Sequence, residues 1–196
     1  MRGFQLPVAL AALLLFAAAC TTGEPVAPTQ APAGQPIADL PPYVCELVPE
    51  QALRLVSGIN GPVTATTAGT KESGQCRAPA STPPPLQVNW LQADDAAGQE
   101  HLDFLMDDRR KLYSRHSPKP LPADLGNGMT TYLTNSPLAD QPYRVSAEFR
   151  CGGEDRMIDI YLAQVVKGRD GIKDLIELMR IAQKRYGELY SCKLDA

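Results

Sequence analysis

Four cysteines, Cys45, Cys76, Cys151 and Cys192, are spread along this chain of 196 residues, and the way they pair decides which distant segments must meet. Whether they pair at all depends on compartment, because disulfides persist in exported proteins and are reduced in the cytosol. The N-terminus addresses that question. Met1 and Arg2 give a short basic start, and every residue from Val8 to Ala19 is Val, Ala, Leu or Phe. A spanning helix needs about 20 apolar residues, so this run has the length of the apolar region of an export signal. An exported chain with four such cysteines reads as two disulfides, with three possible connectivities. A zinc site is the rival, but no two of the four stand in a Cys-x-x-Cys spacing.

The fifth cysteine, Cys20, has a separate job. The apolar run ends Phe16-Ala17-Ala18-Ala19-Cys20 and is followed by Thr21, Thr22 and Gly23. Small residues closing on a cysteine at this place resemble a bacterial lipobox, whose thiol takes a diacylglycerol and becomes the new N-terminus after cleavage. Ala17 stands where lipoboxes favour Leu. The competing reading, an ordinary Ala-x-Ala cleavage site, leaves Cys20 without a role. Residues 1–19 are thus expected to be a lipoprotein signal peptide, with Cys20 the membrane anchor on the extracytoplasmic face. Residues 20–42 change abruptly in composition: Pro25, Pro28, Pro32, Pro36, Pro41 and Pro42 interrupt the stretch, and Glu24 and Asp39 are its only charges. Such a stretch buries too little to offset its ordering entropy, and fully extended it reaches roughly 70 Å at about 3.1 Å per residue. It reads as a tether, and residues 43–196 as one globular domain. The net charge of -3 argues against a nucleic-acid-binding surface, which needs clustered Lys and Arg.

Within 43–196 the periodicities predict an α+β domain with one antiparallel sheet and helices packed on one side of it. Pro49 and Glu50 open a short helix through Val56, closed by Ser57-Gly58. Val63–Thr67 and the segment around Gln75-Cys76-Arg77 read as strands. Leu86–Leu91 alternates, putting Leu86, Val88 and Trp90 on one face. Asp94 or Asp95 caps a helix whose apolar positions are Leu102, Leu105, Met106, Leu112 and Tyr113. Gly126-Asn127-Gly128 turns into a strand at 129–134. Tyr143, Val145, Ala147, Phe149 and Cys151 mark a half-buried strand, which a Gly152-Gly153 hairpin joins to a strong strand at 157–166. Asp170 caps a final helix with Ile172, Leu175, Ile176, Met179, Ala182 and Tyr186 inward.

This layout favours one connectivity. Cys45 lies just before the first helix and Cys76 in the second strand, so their bridge pins that helix to the sheet edge. Cys151 ends the strand before the glycine turn and Cys192 lies beyond the last helix, so the second bridge pins the C-terminal tail. Closing loops of about 30 and 40 residues, each is worth about 3–4 kcal/mol in the chain-entropy model.

The segment Cys45-Glu46-Leu47-Val48-Pro49-Glu50-Gln51-Ala52-Leu53 resembles the opening of a family of small actinobacterial envelope lipoproteins of unknown function. That family begins its mature domain with Cys, one residue, Leu and a short Pro/Glu-led helix. It continues with a second Cys in a strand, matched by Cys76, and an apolar strand, matched by Leu86-Gln87-Val88. Its aromatic residue two places after the second Cys is replaced here by Ala78. The resemblance implies an envelope lipoprotein domain with no established chemistry.

Catalytic motifs are scarce. The two histidines are His101, on the polar side of a helix, and His116, in a Ser-Arg-His-Ser-Pro stretch. Ser114 or Ser117 stands near His116, but neither sits in a Gly-x-Ser-x-Gly elbow, and no Ser is followed three residues later by Lys. Gly126-Asn127-Gly128 lacks the third glycine of a dinucleotide fingerprint, so no cofactor is implied. Asp94-Asp95 and Asp107-Asp108 read as helix caps and, with Arg109-Arg110-Lys111, a solvated charged face. Trp90 and Tyr132 are candidates for lining a groove on the sheet, or else for core. Two functions are therefore carried forward. The first is a non-enzymatic envelope lipoprotein whose domain binds a partner protein, a cell-wall component or a small ligand. The second is a secreted hydrolase using His116 with a nearby Ser or Asp.

Overall fold

The computed structural model describes residues 34–79, 81–135 and 140–195. The signal segment, Cys20 and the tether up to residue 33 lie outside the described residues.

The first helix, α1 (Glu50–Ser57), starts directly after Pro49 and stops at Gly58, whose left-handed φ of 72° lets its N–H return to the Arg54 carbonyl. It follows a two-residue hairpin of β1 (Tyr43–Val44) and β2 (Val48–Pro49). The remaining strands are β3 (Thr66–Gly69), β4 (Ser73–Ala78), β5 (Leu86–Ala93), β6 (Lys119–Pro120), β7 (Asn127–Tyr132), β8 (Tyr143–Cys151) and β9 (Glu154–Leu162). They form one seven-stranded sheet in the order β3-β4-β5-β9-β8-β7-β6, antiparallel at every pairing. Between β5 and β6 runs α2 (Ala96–Tyr113), capped by the Asp95 carboxylate accepting from the Gly98 N–H at 2.7 Å. After β9 comes α3 (Gly171–Tyr190), where the Asp170 carboxylate accepts from the N–H groups of Ile172 and Lys173.

The expected α+β class, antiparallel main sheet and pair of disulfides are all present, and the β1–β2 pair adds a second, two-stranded sheet. Cys45 is joined to Cys76 and Cys151 to Cys192, with Cα atoms 5.6 and 5.3 Å apart. The helices, however, divide between the two faces of the sheet. Side chains alternate sides along a strand, so Leu86 and Val88 of β5, Val145 and Ala147 of β8, and Ile158 and Ile160 of β9 face one way. There they pack with α1 and α3 through Leu53, Val56, Leu175, Leu178, Met179 and Ala182. Leu91, Ala93, Met129 and Met157 face the other way and pack with Leu102, Met106 and Tyr113 of α2. The reason lies in β5 and β9, which carry apolar residues on both faces at their Ala93–Asp155 end and so need cover on both.

Two strand boundaries also move. Val63 packs against the core from a loop, and β3 begins only at Thr66, where pairing with Arg77 of β4 begins. The last strand starts at Glu154, directly after the tight Gly152-Gly153 turn, and ends at Leu162, where its partners β5 and β8 terminate. Residues 35–42, which composition places in the tether, lie along α3. The Gln35 carbonyl accepts from Arg169 at 3.0 Å, Ile37 packs against the main core, and Asp39 pairs with Lys184 at 2.6 Å. The Tyr43 hydroxyl then donates to Asp39, and the Arg185 guanidinium stacks 4.1 Å over the Tyr43 ring.

Candidate functional site on the polar half of the sheet

Only part of the α2 face is apolar. Toward the Leu86–Leu162 end the same face carries two rows of polar side chains, set side by side by the strand register. One row runs Gln75, Asn89, Asp159, Ser146 across β4, β5, β9 and β8. The next runs Arg77, Gln87, Tyr161, Arg144, and ends at Thr131 on β7. Neighbouring strands are about 4.8 Å apart, so each row is a continuous ladder of hydrogen-bonding groups.

The first row is locked from above by α2. Asp159 is fully buried, and its carboxylate accepts from Ser146 Oγ at 2.6 Å, from Arg109 Nη2 at 3.1 Å and from Asn89 Nδ2 at 3.2 Å. The Tyr113 hydroxyl donates to Ser146 Oγ at 3.0 Å, and Gln87 donates to Asn89 at 2.9 Å. Burial works against the Arg109 charge, but the adjacent Asp159 more than offsets it and holds the guanidinium protonated beyond its ordinary range. Burial first, and Asp159 second, push the Tyr113 phenol up to about 12. This arrangement satisfies the condition for a buried carboxylate, a cation plus further donors.

The second row is only partly covered. Arg144 is 8% exposed and Tyr161 4%. The Arg144 guanidinium lies 4.3 Å over the Tyr161 ring, and its Nε donates to the Gln141 carbonyl at 2.9 Å. Tyr161, Arg144, Gln87 and Arg77 form the floor of a cleft of about 400 Å³ whose rim is the proline-rich stretch from Ser81 to Pro84 with Asp140 and Gln141. Gln141 fixes this rim by donating to the Pro84 carbonyl at 2.8 Å. The Tyr161 hydroxyl is buried without a hydrogen-bond partner among the described residues. Burial, reinforced by the Asp159 charge, raises its pKa well above the ordinary phenol value, so it stays protonated.

Sequence reasoning placed functional residues elsewhere. Trp90 and Tyr132 share the α1/α3 face but no groove: they sit three strands apart and four residues apart along the strands, with buried Ile158, Ala147 and Val145 between. Trp90 lies over Gly74, donates from its indole to the Thr70 carbonyl at 2.9 Å, and lines a separate cleft of about 370 Å³ with the Cys45–Cys76 bridge, Leu189 and Tyr190. Tyr132 is 45% exposed and stacks on Tyr143. His116 Nδ1 accepts from the Thr134 N–H at 3.2 Å, and Ser114 Oγ donates to the Lys111 carbonyl, so neither is arranged as a nucleophile–base pair. Arg109, read with the solvated face of α2, turns inward to Asp159 with 17% of its side chain exposed. Among the described residues no group of three His, Cys, Asp or Glu side chains is placed to hold a metal ion, and no helix is long and apolar enough to cross a membrane.

The polar rows were legible in two anomalies. Asp159 is a lone acid inside the apolar run Met157-Ile158-Asp159-Ile160-Tyr161-Leu162, and Arg109 falls on the same 4-3-4 helical stripe as Leu102, Met106 and Tyr113. No family model, curated protein or solved structure matches this chain.

Proposed function

We propose that this chain is an envelope lipoprotein, held on the extracytoplasmic face of the membrane by a lipid on Cys20, whose domain binds a small ligand or cell-wall fragment on the polar half of its sheet. The observation that carries the binding role is the second polar row, Arg77–Gln87–Tyr161–Arg144, which lines a cleft of about 400 Å³. Ligand sites characteristically combine a concavity of this size with a few converging polar groups on a rigid scaffold. The apolar run ending at Cys20, the proline-rich segment after it and the similarity of Cys45–Leu53 to actinobacterial envelope lipoproteins support the anchoring and the location. The two disulfides agree with an oxidising compartment. The hydrolase reading draws no comparable support, because the Nδ1 of His116 is engaged by a backbone N–H and Ser114 by a backbone carbonyl.

Two measurements test this. Cys20→Ser is expected to abolish incorporation of radiolabelled fatty acid and release the chain from the detergent phase; a variant that still labels and partitions refutes the anchor. Hydrogen–deuterium exchange of the full chain, with and without a solvent extract of the cell envelope, is expected to give protection in β4, β5, β8 and β9. Protection confined to the Trp90 cleft, or none, refutes the binding surface.

A further inference from the structure

We infer that the open edge of the sheet at β3, with the Trp90 cleft beside it, is a docking site for an extended segment of a partner protein, which adds as a further strand and sends one bulky apolar side chain into the cleft. The site is separate from the polar rows and does not depend on the ligand proposed for them.

The two edges of the sheet differ. The edge at β6 is two residues long, Lys119–Pro120, and a short strand carrying a lysine and a proline discourages pairing with another chain. The edge at β3 has no such protection. No charge and no proline stands between Pro62 and Lys71, and every residue from Thr64 to Thr70 is exposed. Bonded and non-bonded residue pairs alternate along antiparallel strands. Counting back from Thr70, whose N–H donates to the Ser73 carbonyl at 2.8 Å, Thr67 opposite Cys76 falls on a non-bonded pair. Its N–H and C=O therefore point away from β4, to the side on which a further strand would lie.

The register also decides where the side chains of that strand would fall. Thr67 lines up with Cys76, Val88 and Ile160, and Gly69 with Gly74, Trp90 and Ile158, so both belong to the α1/α3 face. On that face the cleft of about 370 Å³ is lined by Thr67, Gly69, Trp90, Leu189 and Tyr190 among others, and Leu189 is 41% exposed. A strand about 4.8 Å outside β3 puts alternate side chains on the side of this opening. Backbone bonds at the edge then supply affinity and the cleft selects the side chain, as in peptide recognition by strand addition.

Two occupants closer at hand fit less well. A second copy pairing edge to edge offers the cleft only its own Thr67 and Gly69, which are too small to fill it. Four residues a side also fall far short of the roughly 20–30 that hold two domains together. The chain's own segment between Cys20 and Gln35 has Val26 as its largest apolar residue and is interrupted by Pro25, Pro28 and Pro32. It joins the domain beside Arg169, at the opposite end of α3 from Leu189 and Tyr190. The lining holds one acid and one base, Glu46 and Lys71, so it favours a segment without net charge at this point.

The test uses the full chain in neutral detergent and a fluorescent, end-capped peptide as probe. The peptide alternates threonine and valine over seven residues, with its central valine replaced by phenylalanine and a lysine at each end for solubility. Saturable binding is expected by fluorescence anisotropy, together with hydrogen-exchange protection of Thr66–Gly69. Thr67→Pro removes an outward N–H that β4 does not use and is expected to weaken binding about tenfold, the order of one lost hydrogen bond. Methylating the peptide amides that face the edge is expected to give a similar loss without altering the chain. Leu189→Asp is expected to weaken the phenylalanine peptide about tenfold and a central-alanine peptide less than about threefold, because only the first uses the cleft. Lys119→Thr, at the other edge, is expected to leave affinity within about twofold. Absence of saturable binding overturns the inference, as do equal losses for Thr67→Pro and Lys119→Thr. A dimer in sedimentation that Thr67→Pro dissociates assigns the edge to a second copy, and a synthetic 21–33 peptide that competes as well as the probe assigns it to the chain's own tether; either overturns the partner reading. Protection of the polar rows by the envelope extract is read separately, so each proposal can fail without the other.

Discussion

Tyr161→Phe is expected to stabilise the domain, although it removes a polar group from a polar surface. The hydroxyl is buried and has no hydrogen-bond partner among the described residues. A phenol loses its bonds to water on folding, and leaving such a group unsatisfied costs about 1–3 kcal/mol. Phenylalanine keeps the ring on which the Arg144 guanidinium lies at 4.3 Å, so the stacking survives. The expected gain is therefore about 1–2 kcal/mol, or a rise in Tm of roughly 2–8 °C for a domain of this size. Tyr113→Phe supplies the control in the same buried region. Its hydroxyl donates to Ser146 Oγ at 3.0 Å within the Asp159 network, and its loss is expected to cost about 1 kcal/mol. Urea melts of the wild type and both variants, followed by far-ultraviolet circular dichroism with m values compared, give the two differences directly. If Tyr161→Phe destabilises as much as Tyr113→Phe, its hydroxyl is bonded in the folded state and the reasoning fails. A group that costs stability and is nevertheless present is what a site retained for binding looks like.

Further outcomes follow from the same geometry. Asp159→Ala leaves Arg109 beside the buried row with only the exposed Asp108 as counter-charge and is expected to cost about 3 kcal/mol, much of it recovered in the Asp159→Ala/Arg109→Met double variant; strict additivity of the two changes would refute the coupling. Peptide mapping without reductant is expected to recover the 45–76 and 151–192 pairs, and replacing both partners of either pair by Ala is expected to lower stability by about 3–4 kcal/mol. Tyr113 and Tyr186 are each pushed up to about 12, chiefly by burial, while an unfolded phenol titrates near 10. Since the folded chain holds these protons more tightly, their contribution to stability is complete below pH 10 and is lost as pH rises from 10 toward 12. Absorbance at 295 nm is expected to show part of the seven tyrosines ionising only as the circular dichroism signal collapses; a single phenol transition near pH 10 in the folded chain would contradict this.

The extent to which the fold could be read from the residues followed where the physics is local. Asp95 and Asp170 as caps, Gly58 as a helix stop and Gly152-Gly153 as a hairpin turn depend on a few neighbouring atoms, and each is found in that role. The disulfide pairing was legible because each bridge joins elements that an α+β packing brings together. What the sequence could not convey was which side of the sheet α2 would cover. That depends on how β5 and β9 lie beside one another, with Leu91 paired to Met157 and Ala93 to Asp155. The polar rows were missed for the same reason. Gln87, Asn89, Arg144 and Ser146 each look like the solvent-facing partner in an alternating strand, and only the register across four strands assembles them into one surface. The lone Asp159 in an apolar run signalled a buried ion pair, but its partner, Arg109, lies 50 residues away on α2.

The strip of chain from Gln35 to Tyr43 along α3 has a mechanical consequence. Its direction is that of α3 itself, from Arg169 just before the helix to Lys184 and Arg185 near its end. A pull arriving from the N-terminal side at Gln35 would meet these side-chain contacts one after another, and each is weak enough to peel without disturbing the sheet. The peeling meets the pairing of Tyr43 and Val44 with β2, and goes no further than Cys45. Beyond that residue the covalent bond to Cys76 passes the load into β4, which is hydrogen-bonded along its length to β5 in the middle of the fold. Under such a load the strip would extend by a fixed length while the polar face and its cleft keep their shape.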